Sequence, residues 1–302
     1  NISSYSKKSD YNTEFTVNNI TAKAGYTYSG YTLGGSLTAL SGSTNAIIKT
    51  KLGAGDGNLT LNSTANTYNI KYSLNNGVAG SNAPNSATYD KVINISNPTK
   101  TIKATGNVNN TGATIGSATS KDQTFAGWTA VGLDTATAKY GNSSSAVSTS
   151  WSNGTTPVTG IYFKNLASTN NSTVTLTANW TPVSFNLPTV TKTGYTCHWN
   201  TKNDGSGTSY DSGASYTPTA TQGNINLYAM CEKSNYTVTY NYSYNGGTSA
   251  TKTSATVTYG DDVDLTPTAV RAGYEFVGWN TDKDAHTKLE SLKMPANNVT
   301  LY

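Results

Sequence analysis

Charge is scarce in this 302-residue chain: only 12% of residues are Asp, Glu, Lys or Arg. Glutamate occurs only as Glu14, Glu232, Glu275 and Glu290. No two of the 16 acidic residues stand in a recurring or cleft-forming spacing, so the carboxylate pair that serves a glycoside hydrolase is not legible. Histidine is scarcer still, with His198 and His286 alone. A Ser or Cys nucleophile needs a His base. His198 adjoins Cys197, but neighbours on a strand point to opposite faces, which argues against a Cys–His pair. His198 reads as a surface or interface residue and His286 as a solvated loop residue. An enzyme is therefore not expected, and no cofactor is implied. No apolar run is long enough to span a membrane. No signal peptide opens the chain, so Asn1 reads as internal or processed, with targeting and anchoring segments expected elsewhere. The net charge of +4 comes from lysines scattered singly, Lys7-Lys8 being the only pair. A nucleic-acid binder gathers its basic residues on one face, so no nucleic acid is expected as a partner.

What the chain has in quantity is Asn, Ser, Thr, Gly and Tyr, with 21 Tyr against 5 Phe. Thr and Tyr suit a pleated, half-exposed surface, while Ala-Leu-Glu-Lys helix builders are few, so the fold class is mainly β. Self-similarity sets the architecture. The clearest stretch is Gly273-Tyr274-Glu275-Phe276-Val277-Gly278-Trp279-Asn280-Thr281, running on to Val299-Thr300-Leu301-Tyr302. A second copy is Gly194-Tyr195-Thr196-Cys197-His198-Trp199-Asn200-Thr201, closing at Leu227-Tyr228-Ala229-Met230-Cys231. Weaker copies are Phe125-Ala126-Gly127-Trp128 with Val174 to Trp180, and Gly25-Tyr26 with Leu59-Thr60-Leu61-Asn62.

These residues resemble the Listeria–Bacteroides repeat, or internalin-type B repeat, whose pattern is Gly-Tyr-x-Phe-x-Gly-Trp, a variable loop, then Leu-Tyr-Ala-x-Trp. The resemblance is specific after about Lys192, and the last unit matches best, including a leading hairpin from Tyr236-Thr237-Val238-Thr239-Tyr240 to Thr256-Val257-Thr258-Tyr259-Gly260. It stops short of the Ala-x-Trp of the pattern. The family implies small β-grasp-like modules joined end to end in bacterial surface proteins, without an active site. The expected organisation is modules at 1–66, 67–182, 183–234 and 235–302 forming an elongated rod. The expected location is extracellular, on a bacterial cell surface. Partners implied are a host-cell or neighbouring-cell protein or glycan, or further copies of the chain, with a strand-complemented fibre as one form of self-association.

In that pattern, Cys197 stands where Phe276 does and Cys231 where the final Trp should be. If those aromatics pack together, the thiols meet and a disulfide is the favoured reading. Two buried free thiols are the alternative, and a metal site is a third, with only His198 nearby. The motif residues Gly25, Tyr26, Phe125, Gly127, Trp128, Gly194, Tyr195, Trp199, Gly273, Tyr274, Phe276, Gly278 and Trp279 read as structural. The tryptophans are core candidates, and exposed tyrosines are candidates for contact.

Elsewhere, Glu14 to Ile20 reads as a strand, and Ala46–Thr50 and Asn58–Leu61 as two short strands around the turn Gly53-Ala54-Gly55-Asp56-Gly57. Thr67 to Leu74 opens the second module with Lys91–Ile95 as partner. Thr101 to Ser120 reads as an insertion, Asp134 to Ser148 as room for one short helix, and Asn1 to Asp10 as a linker. Asp261, Asp262 and Asp264 could supply calcium ligands. They lack the loop glycine and final Glu of an EF-hand, and read better as a turn into a strand.

Overall fold

The computed structural model describes residues 9–108 and 111–302, and among these it is built of strands without a helix. The linker reading of 1–10 falls almost wholly outside them, as does part of the tract at 109–110. The main strands are β1 (Glu14–Val17), β2 (Tyr26–Ala39), β3 (Ile48–Ala65), β4 (Thr67–Ser73), β5 (Ser86–Thr88), β6 (Thr101–Asn107), β7 (Thr124–Val131), β8 (Thr173–Thr181), β9 (Tyr195–Asn200), β10 (Ile225–Lys233), β11 (Asn235–Tyr240), β12 (Ser254–Thr258) and β13 (Val299–Leu301). The chain divides into two compact units: residues 1–101 with 122–183 and 219–222, and residues 102–121 with 184–218 and 223–302.

In the first unit, β2 and β3 form a long antiparallel hairpin with β1 on the outer side of β3. The sequence suggests two short strands and a turn where β3 runs unbroken for 18 residues. Gly57 pairs with Gly35 and Leu52 with Leu37, so residues 53–56 stand unpaired opposite Ser36, a bulge at the place where the sequence suggests the turn, and the ladder resumes on both sides of it. This hairpin buries little, with Ile48 and Thr50 its fully enclosed side chains. The core of the unit sits further on, under a sheet ordered β7-β8-β4-β5. There Trp128, Trp151, Phe163, Tyr68, Ile95 and Leu176 pack together. The stretch from Asp134 to Ser148 is turns and a short strand, Lys139–Gly141. Asp134 explains the turns: its backbone carbonyl accepts from Thr137 (3.1 Å) and Ala138 (2.9 Å), and its carboxylate accepts from the amide of Ala136 (3.1 Å). These bonds close a single turn, and the chain enters strand pairing at Lys139 directly after it.

The second unit holds two cores. One gathers Ile102, Ala104, Leu187, Val190, Trp199, Leu227 and Ala229, and the other Val238, Tyr240, Trp279, Met294, Val299 and Leu301. Here the structure corrects the reading of 101–120 as an insertion. β6 lies parallel to β10, with Ile225 opposite Ala104, in a five-stranded sheet that also contains Thr119–Asp122 and β9. Residues 102–121 therefore supply the leading strands that the Cys197 module lacks next to it in sequence. The alternation of buried Ile102 and Ala104 with exposed Thr101 and Lys103 was the available signal. The three modules after the first hairpin then repeat one arrangement. The first strand of each lies parallel to its closing strand: β4 to β8, β6 to β10, β11 to β13.

Candidate functional site: a repeated joint

The motif glycines build a joint. Lys23-Ala24-Gly25-Tyr26, Lys192-Thr193-Gly194-Tyr195 and Arg271-Ala272-Gly273-Tyr274 are three copies of one turn. In each, the tyrosine amide donates to the carbonyl three residues back, at 3.0, 3.0 and 3.1 Å. The glycine takes φ of +82°, +78° and +77°, the left-handed region where a side chain is strained.

At the first turn, one residue, Asn66, separates β3 from β4. Its amide donates to the Gly25 carbonyl (2.8 Å), and its own carbonyl accepts from the amide of Tyr89 (2.8 Å). The Tyr89 ring then lies on Gly25, where a Cβ would come within 2.3 Å of it, and meets Tyr26 edge-on at 5.8 Å. The second turn repeats this bond for bond. Ser234, the residue between β10 and β11, donates to the Gly194 carbonyl (2.9 Å) and accepts from the Tyr259 amide (2.9 Å). The Tyr259 ring would meet a Cβ on Gly194 at 2.4 Å, and it meets Tyr195 edge-on at 5.9 Å. A cation backs the tyrosine, with Lys192 Nζ 4.0 Å from the Tyr195 ring centroid. At the third turn Arg271 plays the same part at 3.7 Å from Tyr274. No atom lies within 4 Å of a Cβ built on Gly273, and Tyr274 is 66% exposed. Tyr89, Tyr259, Asn66 and Ser234 are not singled out by the sequence motif. The one signal for them is a tyrosine closing the leading hairpin, visible in Tyr259-Gly260.

These glycines make a controlled comparison. Gly194→Ala and Gly273→Ala carry the same left-handed strain, about 1–2 kcal/mol. Gly194→Ala must also displace the Tyr259 ring, an overpacking cost of about 1–3 kcal/mol. Thermal unfolding of the two full-length variants should rank Gly194→Ala clearly below Gly273→Ala. Equal losses would show that the ring does not hold the joint.

The first joint also holds a carboxylate, Asp90. Tyr26 Oη donates to Asp90 Oδ2 (2.7 Å), Asn165 Nδ2 donates to Oδ1 (3.1 Å), and Lys164 Nζ is 3.3 Å from Oδ1. The Tyr26 hydroxyl chiefly, with Asn165 and Lys164 adding against partial burial, holds the Asp90 carboxyl down at about 2. A folded-state value below the ordinary carboxylate value of about 3.9 means stability present above that pH and lost as pH falls toward 2. Acid titration followed at Tyr26 and Tyr89 should loosen this joint between about pH 4 and 2, and Asp90→Asn should remove that dependence. An unchanged profile in Asp90→Asn would assign the transition to other groups.

The remaining motif residues lie in the cores. Trp128, Trp199 and Trp279 are all buried. Trp199 Nε1 and Trp279 Nε1 each donate at 2.7 Å to a proline carbonyl, of Pro188 and Pro267. Trp128 Nε1 is buried without a partner among the described residues. Phe125 stands on β7 opposite Trp180, with a bulge before Gly127, whose φ is +117°. Gly278, at φ +145°, repeats that bulge glycine, and Phe276 rests edge-on against Trp279 at 5.1 Å. Cys197 lies directly opposite Cys231 across β9 and β10, and the two form a disulfide. The three aspartates do not converge. Asp261 pairs with Lys233, Asp262 with Lys293 and Asp264 with Lys252, and no group of three metal-ligating side chains occurs among the described residues.

The family model of the Listeria-Bacteroides repeat domain matches the chain twice, over residues 160–230 and 236–302. Both segments are Listeria-Bacteroides repeats. The first match begins in residues of the first unit, whereas the Cys197 module takes its leading strand from β6. Repeats of this family are typically non-enzymatic and suggest an extracellular surface repeat protein; the disulfide agrees with that location. No curated protein and no solved structure matches the chain.

Proposed function

We propose that the chain is the repeat region of a bacterial cell-surface protein and serves as a stalk that displays a binding element, with no catalytic role. The single observation that carries this reading is the joint. One spacer residue, a left-handed glycine and a capping tyrosine recur with matching hydrogen bonds at Gly25 and Gly194. A join of one residue leaves neighbouring modules little freedom, as a spacer requires. The β-grasp-like modules and the rod belong to this reading. So does contact with host or neighbouring cells as the work of another part of the protein.

The test is binding of the labelled, oxidised, full-length chain to intact host cells and to a glycan panel, with small-angle scattering of the same sample. The stalk reading expects an elongated particle and no saturable binding. Saturable binding would overturn it in favour of a direct adhesive module, for which the exposed side chains Tyr244, Tyr274 and Val277 are the first residues to alter.

A further inference from the structure

Tension on a stalk enters each module where its chain begins and leaves where it ends. In the Phe125 module those points lie on β4 and β8, which run side by side and parallel, from Asn69 opposite Thr173 to Ser73 opposite Thr177. A pull toward the N-terminus on β4 and toward the C-terminus on β8 slides one strand along the other. All contacts between them then resist together, whereas a pull across the pair would open them one at a time. Bonds along the whole pair share that load. The Asn69 amide donates to the Ser172 carbonyl (2.8 Å) and the Asn171 amide to the Thr67 carbonyl (2.7 Å). Asn75 Nδ2 donates to the Ala178 carbonyl (2.9 Å), and Trp180 Nε1 to the Leu74 carbonyl (3.0 Å). Ile70, Val174 and Leu176 are buried beneath. In the last module β11 and β13 repeat the arrangement, from Val238 opposite Val299 to Tyr240 opposite Leu301.

The Cys197 module differs. Its parallel pair is β6 with β10, but β6 comes from residues 101–107, and the chain enters this module for the second time at Ser184. Tension between Ser184 and Lys233 therefore does not pass along β6. It meets Cys197 and Cys231 instead, joined across β9 and β10. While that bridge is closed, residues 198–230 cannot be drawn out, and they carry Trp199, Leu227 and Ala229 of the core. Among the three modules after the first hairpin, the disulfide thus occurs in the one whose leading strand lies off the path of tension.

We propose that the chain bears tension: the β4–β8 pair is a shear clamp, and the Cys197–Cys231 disulfide carries the load where the corresponding strand pair does not. Forced unfolding is governed by the barrier to rupture, so the direction of load matters as well as the stability of the module. The load-bearing role rests on the stalk reading, whereas the response to force follows from strand geometry and the bridge alone.

Single-molecule pulling on the full-length oxidised chain tests both parts, with thioether-linked handles on cysteines introduced at exposed positions. Asn69→Cys/Thr181→Cys loads the β4–β8 pair along the strands, and Asn69→Cys/Thr173→Cys loads the same pair across them. At equal pulling speed the first should rupture at no less than twice the force of the second. The two variants differ only in which exposed threonine carries the handle, so the direction of load is what separates them. Asn69→Cys/Glu232→Cys places the clamp and the bridge in series. Dithiothreitol should then add an early step at less than half the clamp's force, lengthened by about 11 nm, the extended reach of residues 198–230. Equal forces along and across the pair would overturn the clamp. A reduced Cys197 module that yields only at the clamp's force or above would overturn the load-bearing role of the disulfide. Either failure leaves the cell-binding result as it stands, and saturable cell binding would overturn the stalk reading without altering these forces.

Discussion

Trp199→Ala should cost about 3–5 kcal/mol, the range for emptying a large buried aromatic site. Trp199 is fully enclosed among Ile102, Leu187, Val190, Leu227 and Ala229. A Cβ on Gly106 would come within 2.3 Å of the indole, so that glycine is part of the seat. The substitution also strips the Pro188 carbonyl of its 2.7 Å partner. A module of this size holds only a few kcal/mol in total at roughly 0.05–0.15 kcal/mol per residue, so the loss should unfold it. Because β6 is drawn from residues 101–107, the leading strand should be released as well. Hydrogen exchange would read this as coincident loss of protection in Ile102–Ala104 and Leu227–Ala229. Protection retained at 102–104 would contradict the assignment of that strand to this module.

Reduction of the Cys197–Cys231 disulfide is the second large effect. The bridge closes a separation of 34 residues, for which chain-entropy arguments give about 3–4 kcal/mol. It also stands where Phe125 and Trp180 supply two rings packed edge to face in the preceding module. Two serines would thus leave this position with neither cross-link nor aromatic packing. Full-length Cys197→Ser/Cys231→Ser, or the native chain in reductant, should show one melting transition moved down by several degrees or more. Transitions carrying Trp128 and Trp279 should hold their place. Thermal scans followed at tryptophan would separate them. An unmoved profile under full reduction would show that the cores alone hold the module.

Much of the local structure was legible in the sequence because it depends on residue type at short range. Alternation and Thr/Tyr content announce strands, and the Gly-Tyr turn announces a left-handed glycine. The pattern position of the cysteines announces their meeting. What escaped was non-local. Nothing near Ser184 reveals that its module's first strand lies at Thr101–Asn107, because a parallel pairing is set by the shared core and leaves no turn signature. The continuity of β3 escaped for a different reason: the stretch that reads as a turn is a bulge, residues 53–56 opposite Ser36, and the same two strands pair on both sides of it. Tyr89 and Tyr259 carry the joint through ring placement on a bare Cα, which becomes visible only when the glycine and the tyrosine are seen together.

The central claim is that one joint, reused, locks these modules to their neighbours. Amide hydrogen exchange at Asn66, Tyr89, Ser234 and Tyr259, the four donors of the two closed joints, tests it most directly. The account predicts slow exchange at all four in the native chain, and in Gly194→Ala a release of Ser234 and Tyr259 alone. Exchange of these amides at the rate of an open loop, or indifference of Ser234 and Tyr259 to Gly194→Ala, would contradict it.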